Sequence, residues 1–189
     1  MLMVRPVTAG DPALRSIDGR VLCGEEVAVL ISRSGFSLEY RPVANAVWRV
    51  FGIEEEAIRR VNLGMDDTAL FGAFRDEEMV GQAVVCRRPT RWAEILDLRV
   101  DAVCRREGVG TMLLSACERF ARQHGMAGLS CTVGDDNPVM CQFLGKSGFK
   151  VQGLDRMRLA MGEEVRMRPL LQRPCALMMY RPLEGGMRG

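Results

Sequence analysis

Leu98-Arg-Val-Asp-Ala-Val-Cys-Arg-Arg-Glu-Gly-Val-Gly-Thr111 reads as the end of a strand, a short polar turn and the opening of a long helix. The turn carries Arg105-x-x-Gly108-x-Gly110. Glycines allow close backbone approach, and the first N–H groups of a helix have no intrahelical partner and lie at the positive end of its dipole. Such a turn suits a pyrophosphate, although an ordinary glycine-containing connection reads equally well from this segment alone. Two other phosphate motifs fail. A dinucleotide fingerprint needs glycine where Leu113 stands, and Gly145-Lys146-Ser147 lacks the P-loop glycine five positions earlier, where Met140 stands.

Working outward, Met112, Leu113, Ala116, Cys117, Phe120 and Ala121 repeat at helical spacing over residues 109–124, and Gly125 supplies the stop. Residues 129–133 read as a buried strand, and Asn137 followed by Pro138 marks the cap and first turn of a second helix. Upstream, residues 68–74, 79–86 and 92–100 read as successive antiparallel strands, 3–6 as an opening strand, and 21–32 with 36–43 as a hairpin turning at Ser34 and Gly35. Residues 44–64 carry a mixed helical pattern through Trp48, Val50, Phe51, Ile53, Ala57, Ile58 and Val61. Downstream, 149–153 and 157–160 read as strand, and 175–180 as a last buried strand. The expected fold class is α/β, a mixed, mainly antiparallel central sheet flanked by helices, in a single domain over residues 1–183 with a loose tail at 184–189.

Composition narrows the chemistry. Of 189 residues 48% are hydrophobic, and 26 basic against 24 acidic side chains leave a formal charge of +2, which argues against a dedicated nucleic-acid or polybasic membrane surface. His124 is the only histidine, so multi-histidine metal sites are excluded and no metal is expected. The seven cysteines form no Cys-x-x-Cys pair and are odd in number, which suits free core thiols in a reducing cytoplasm. Neither a signal peptide nor a membrane anchor is expected, because the longest apolar runs fall far short of the ~20 residues that span a bilayer.

Arg-x-x-Gly-x-Gly opening a helix, then a strand, then Asn-Pro-Val-Met-Cys-Gln-Phe-Leu-Gly-Lys-Ser-Gly-Phe at 137–149, resembles the acetyl-CoA-binding core of the GNAT superfamily of N-acetyltransferases. The hairpin around Gly35, Gly-Leu-Asp at 153–155 and the strand at 176–180 are most similar to streptothricin acetyltransferase-like members. The resemblance implies acetyl transfer from acetyl-CoA to the primary amine of a small molecule by direct attack. It implies that the backbone of Leu98, Arg99 and Val100 holds the pantetheine arm, with a bulge offering an N–H to the thioester oxygen. It further implies that Arg105, Arg106, Gly108, Val109, Gly110 and Thr111 hold the pyrophosphate, and that Asn137 and Phe143 line the far side of the coenzyme channel. No nucleic-acid or membrane partner follows from it, and a homodimer stays open.

Direct attack requires that the ammonium lose a proton, the oxyanion be stabilised and the thiolate be protonated. Here the sequence departs from the family. The tyrosine expected as thiolate acid falls at Leu144, and the glutamate of the streptothricin subgroup falls at Leu96. Glu94 and Asp97 are the nearest carboxylates and become the candidate catalytic residues. Strict strand alternation puts Glu94 on the face of Leu96, Leu98 and Val100, with Asp97 on the other. Cys141 and Tyr180 are further conceivable acids for which core packing is the better reading, and His124 suits a helix C-terminus. The methionines at 157, 161, 167, 178 and 179 could surround an apolar acceptor pocket or simply fill core, and the arginines at 156, 158, 166, 168 and 173 read as a solvated loop. Leucine at both proton-transfer positions also admits a second expectation, a catalytically impaired acyl-CoA-binding sensor or structural protein.

Overall fold

The computed structural model describes residues 1–8, 17–158 and 174–184. Its strands are β1 (Leu2–Val7), β2 (Arg20–Ser32), β3 (Gly35–Val50), β4 (Thr68–Arg75), β5 (Glu78–Arg87), β6 (Trp92–Val100), β7 (Gly128–Gly134), β8 (Lys150–Asp155) and β9 (Ala176–Pro182), and its helices α1 (Glu55–Asn62), α2 (Val109–Gln123) and α3 (Pro138–Lys146). The fold is mixed α/β with mainly antiparallel strands and flanking helices. Two compact units divide the chain: Met1–Val21, Val50–Leu129 and Pro182–Gly189 form one, Leu22–Arg49 and Ser130–Arg181 the other.

In the first unit β1, β4, β5 and β6 lie side by side, each pair antiparallel. β4 and β5 join through Asp76 and Glu77, both at positive φ (48° and 73°), the twist a two-residue hairpin loop demands. β5 is apolar along nearly its whole length and buried on both faces, because a helix covers each. On one face Ala57 and Val61 of α1 pack on Leu70, Val84, Cys86 and Leu96. On the other, α2 comes so close at Gly81 that a Cβ there would lie 3.0 Å from Val109 Cγ1, so glycine is what permits this contact.

The second unit contains the β2–β3 hairpin, most of β7, the pair β8–β9, and α3. Cys23 Sγ lies 4.0 Å from the Asp136 carbonyl oxygen, Arg49 pairs with Asp136 at 3.5 Å, and Gln142 Nε2 donates to Glu25, so the hairpin is tied to the start and body of α3.

Two expectations need correcting. Residues 44–50 are strand rather than helix: β3 runs on through Val47, Trp48 and Val50, whose branched and aromatic side chains suit a strand, and only Glu55–Asn62 is helical. Residues 157 and 158 are not strand either, because Asp155 Oδ1 accepts from the Met157 and Arg158 N–H groups (2.8 and 3.2 Å) and turns the chain out of β8. The rest of that segment (159–160), Met161, Met167, Arg166, Arg168, Arg173 and tail residues 185–189 lie outside the described residues. All seven cysteines are buried, and none is in a disulfide.

Candidate active site

Register decides which side chains β6 sends to each face. β5 and β6 pair Gln82 with Arg99, Ala83 with Leu98 and Val84 with Asp97, but the next pair is Val85 with Ile95. Leu96 is therefore an extra residue, a bulge. It shifts the alternation by one, so Glu94, opposite Cys86, shares a face with Asp97, Arg99 and Gln82, while Leu98 and Val100 face the other way. The expected arrangement, Glu94 with Leu98 and against Asp97, is thereby overturned. Leu96 itself turns into the core beside Ala57 and Val61.

Both carboxylates are already paired. Asp97, 8% exposed, accepts from Arg99 Nη2 at 2.7 Å and from Gln82 Nε2 at 2.7 Å. Glu94 accepts from Arg88 Nε at 2.5 Å, and the same guanidinium reaches both oxygens of Glu56 (2.8 and 3.0 Å). Glu56 also takes Arg60 Nε at 2.8 Å, and Arg60 continues to Asp67 at 2.9 Å. The Arg88 guanidinium, with Arg60 behind it, holds the Glu56 carboxyl down at about 2 against the effect of burial. This chain of charges ties α1 to the loop before β6.

The turn after β6 is built by Asp101, whose N–H donates to the Val80 carbonyl (2.9 Å) and whose Oδ1 accepts from Val103 N–H (3.1 Å) to start one 3-10 turn, Ala102–Cys104. Arg105 folds back, Nε to the Val100 carbonyl at 3.1 Å, and burial lowers its pKa. Arg106 and Gly108 take left-handed backbone (φ 66° and 85°). Gly108 is the N-cap of α2 and offers no side chain to it; the first helical bond is Met112 N–H to the Gly108 carbonyl at 3.0 Å. The N–H groups of Val109, Gly110 and Thr111 thus begin a 15-residue helix without a capping acceptor. Arg106, Gly108 and Thr111 are exposed, Leu98, Arg99, Val100, Arg105 and Gly110 half-buried, and Val109 buried.

In the second unit Asn137 caps α3 as its sequence predicts, Oδ1 accepting from Met140 N–H at 3.1 Å with Pro138 at the first position. Phe143 is half-buried. Leu144 has no exposed surface. Cys141 is equally closed off, and burial, with Asp135 and Asp136 adding to it, pushes its thiol up to about 12, which suits a core residue and not a thiolate. Tyr40 was not among the candidates read from the sequence; it sits half-buried on β3, where burial first, then Cys141 and Glu25, raise its phenol to about 12. Its signal was the alternation Phe36, Leu38, Tyr40 on one hairpin face. Tyr180 lies on β9 opposite Lys150. His124 Nδ1 stands 2.8 Å from the Phe120 carbonyl at the end of α2, as expected of a helix terminus. Met157 is 64% exposed and Met179 is buried.

The model of the acetyltransferase (GNAT) family matches residues 39–149, more than half of the chain. The chain belongs to the GNAT acetyltransferase family. Among curated relatives, the streptothricin acetyltransferase of Escherichia coli is 28% identical over 90 residues, 48% of this chain and 52% of that protein. The chain spans about half the length of that curated relative. Among solved structures, a nourseothricin acetyltransferase superposes with a TM-score of 0.77 at 24% identity, over 96% of this chain and 98% of the other. A Bacillus anthracis protein assigned as a streptothricin acetyltransferase, in complex with acetyl coenzyme A, gives 0.81 at 19% identity, over 97% and 100%. At these identities the structural likeness establishes the GNAT fold. No helix among the described residues is long and apolar enough to cross a membrane.

Proposed function

We propose that this GNAT protein transfers the acetyl group of acetyl-CoA to a primary amine of a small molecule, with streptothricin-like amines as the substrate class. The observation that carries the reading is local to one unit: a bulged strand, β6, leads through a left-handed turn into the uncapped start of α2. Those features fit the coenzyme. The main chain of Leu98, Arg99 and Val100 takes the pantetheine arm, and Arg105, Arg106 and the N–H groups of Gly108, Val109, Gly110 and Thr111 take the pyrophosphate. Asn137 and Phe143 join this set on the family resemblance. When bound, acetyl-CoA supplies an activated thioester.

The bulge at Leu96 takes main-chain groups out of the ladder, which supports a backbone N–H as the oxyanion donor. Glu94 and Asp97, although each is held by an arginine, Arg88 and Arg99, are the carboxylates nearest this strand and act on the proton of the amine through water. The same reading treats residues 1–183 as one domain acting on a soluble amine in the cytoplasm.

One observation favours a second reading, an acyl-CoA-binding sensor: Leu144 and Leu96 are core residues (0% and 8% exposed) and carry no group that can give or take a proton. Missing acid–base assistance costs about 10²–10⁴-fold and slows a reaction without abolishing it. Calorimetric titration with acetyl-CoA, followed by CoA release across a panel of primary amines including streptothricin, decides. Binding with turnover supports the enzyme; binding without turnover on any amine supports the sensor; no binding removes both.

A further inference from the structure

Arg88 stands between the charge chain of α1 and the proposed coenzyme-binding strand. Its main chain closes the β5–β6 hairpin: the N–H donates to the Trp92 carbonyl and the carbonyl accepts from Arg91 N–H, both at 3.0 Å. Alternation puts its side chain on the face of Cys86, and therefore of Glu94, the residue opposite Cys86. The guanidinium is then used on two sides. Nη1 and Nη2 grip both oxygens of Glu56 (2.8 and 3.0 Å), a planar fork that sets its orientation, and Nε donates to Glu94 Oε2 at 2.5 Å.

Tying α1 to the loop does not need Glu94. Glu56 makes that tie, with Arg60 and Asp67 behind it. Glu94 lies on the same hairpin as Arg88, six residues away, so their bond joins nothing that the β5–β6 ladder does not already hold together. What the bond does fix is the carboxylate, at the end of a long side chain that would otherwise sample many rotamers. That carboxylate meets solvent: the Glu94 side chain is 13% exposed and that of Arg88 22%, so water reaches the pair. Cys86 beside it is closed off, its thiol pushed up to about 11 by burial, and adds no charge at neutral pH. The Leu96 bulge, where the thioester oxygen is proposed to bind, lies two residues along β6, or ~7 Å, a separation that water bridges.

We infer that Arg88 is a positioning residue for acetyl transfer: clamped by Glu56 of α1, its guanidinium holds the Glu94 carboxylate toward the water that takes the proton of the acceptor amine. Arg88 acts through Glu94 alone. This assignment rests on the acetyl-transfer reading and on the part that reading gives to Glu94.

The test is a double-mutant cycle in steady-state kinetics, with the panel amine that releases CoA fastest. Glu94→Gln lowers kcat about 10²-fold and Arg88→Met about tenfold, while KM for acetyl-CoA stays unchanged in both. Added to Glu94→Gln, Arg88→Met changes kcat by less than about twofold, because the group it positions is already gone. Glu56→Gln leaves Arg88 and Glu94 in place but loosens the clamp; it lowers kcat about threefold, again only when Glu94 is present, and serves if Arg88→Met fails to fold. A kcat within about twofold of the parent in folded Arg88→Met, or the same fold-loss with and without Glu94, overturns the Arg88 assignment alone. An unchanged kcat in Glu94→Gln removes Glu94 from the reaction and this assignment with it. Turnover that is absent from the unaltered protein with every amine overturns the acetyl-transfer reading itself.

Discussion

Gly81→Ala adds one methyl group where the strand that supports β6 meets the helix proposed to bind the pyrophosphate. The new Cβ would lie 3.0 Å from Val109 Cγ1, 3.1 Å from Leu113 Cδ1 and 3.1 Å from the Arg99 carbonyl oxygen. Unstrained carbon contacts settle near ~3.5–4.0 Å, so roughly half an ångström must be found against all three atoms. Little can give. Val109 and Leu113 are 1% and 0% exposed, and the third atom is main chain in a paired strand. Overpacking of this kind costs about 1–3 kcal/mol, whereas replacing glycine reduces unfolded-state entropy and returns about 0.4–1 kcal/mol. The expected net loss is about 1–2 kcal/mol, or ~2–8 °C in Tm for a chain of this size. Urea unfolding at neutral pH measures it, and calorimetry with acetyl-CoA on the folded variant adds a functional reading, because displacing α2 displaces the N–H groups of Val109, Gly110 and Thr111. A variant as stable as its parent, or more stable, would refute the argument, since that is what the entropic contribution alone produces.

Three more outcomes are expected. Glu56 has its carboxyl held at about 2 against an ordinary 4.5, so its contribution is full above about pH 4.5 and is lost as the pH falls toward 2; urea midpoints of Glu56→Gln will fall less steeply with acid than those of the parent, and parallel curves would contradict the ion-pair chain. Leu144→Tyr adds bulk at a site without exposed surface and lowers stability by about 1–3 kcal/mol in urea unfolding; unchanged stability would mean that α3 has room there. Gly108→Ala meets no atom within 4 Å but sits at φ +85°, so it loses about 1–2 kcal/mol to backbone strain alone, and Gly108→Asn loses less; equal losses in thermal melts would count against that origin.

Much of this was legible in the sequence because local rules and tertiary packing agree. Trp92–Val100 reads as a strand between polar turns and is one; Asn137 and Pro138 mark the start of α3 and do cap it; the glycines at 108 and 110 open α2. The faces of β6 were not legible. No glycine or proline marks Leu96 as a bulge, and a single extra residue moves Glu94 across the sheet. The reach of β3 to Val50 was hidden because Phe51 and Ile53 extend a helix-like spacing across the strand end. Gln82 did leave a trace, one amide in an apolar run, but its bond to Asp97 depends on a partner fifteen residues away and appears only once the strands are in register.

A crystal structure of the protein with acetyl-CoA tests the central claim most directly. The account predicts the pyrophosphate against the N–H groups of residues 108–111, the pantetheine arm along Leu98–Val100 and the thioester oxygen at the Leu96 bulge. Acetyl-CoA bound elsewhere, or with its pyrophosphate away from the start of α2, would contradict it.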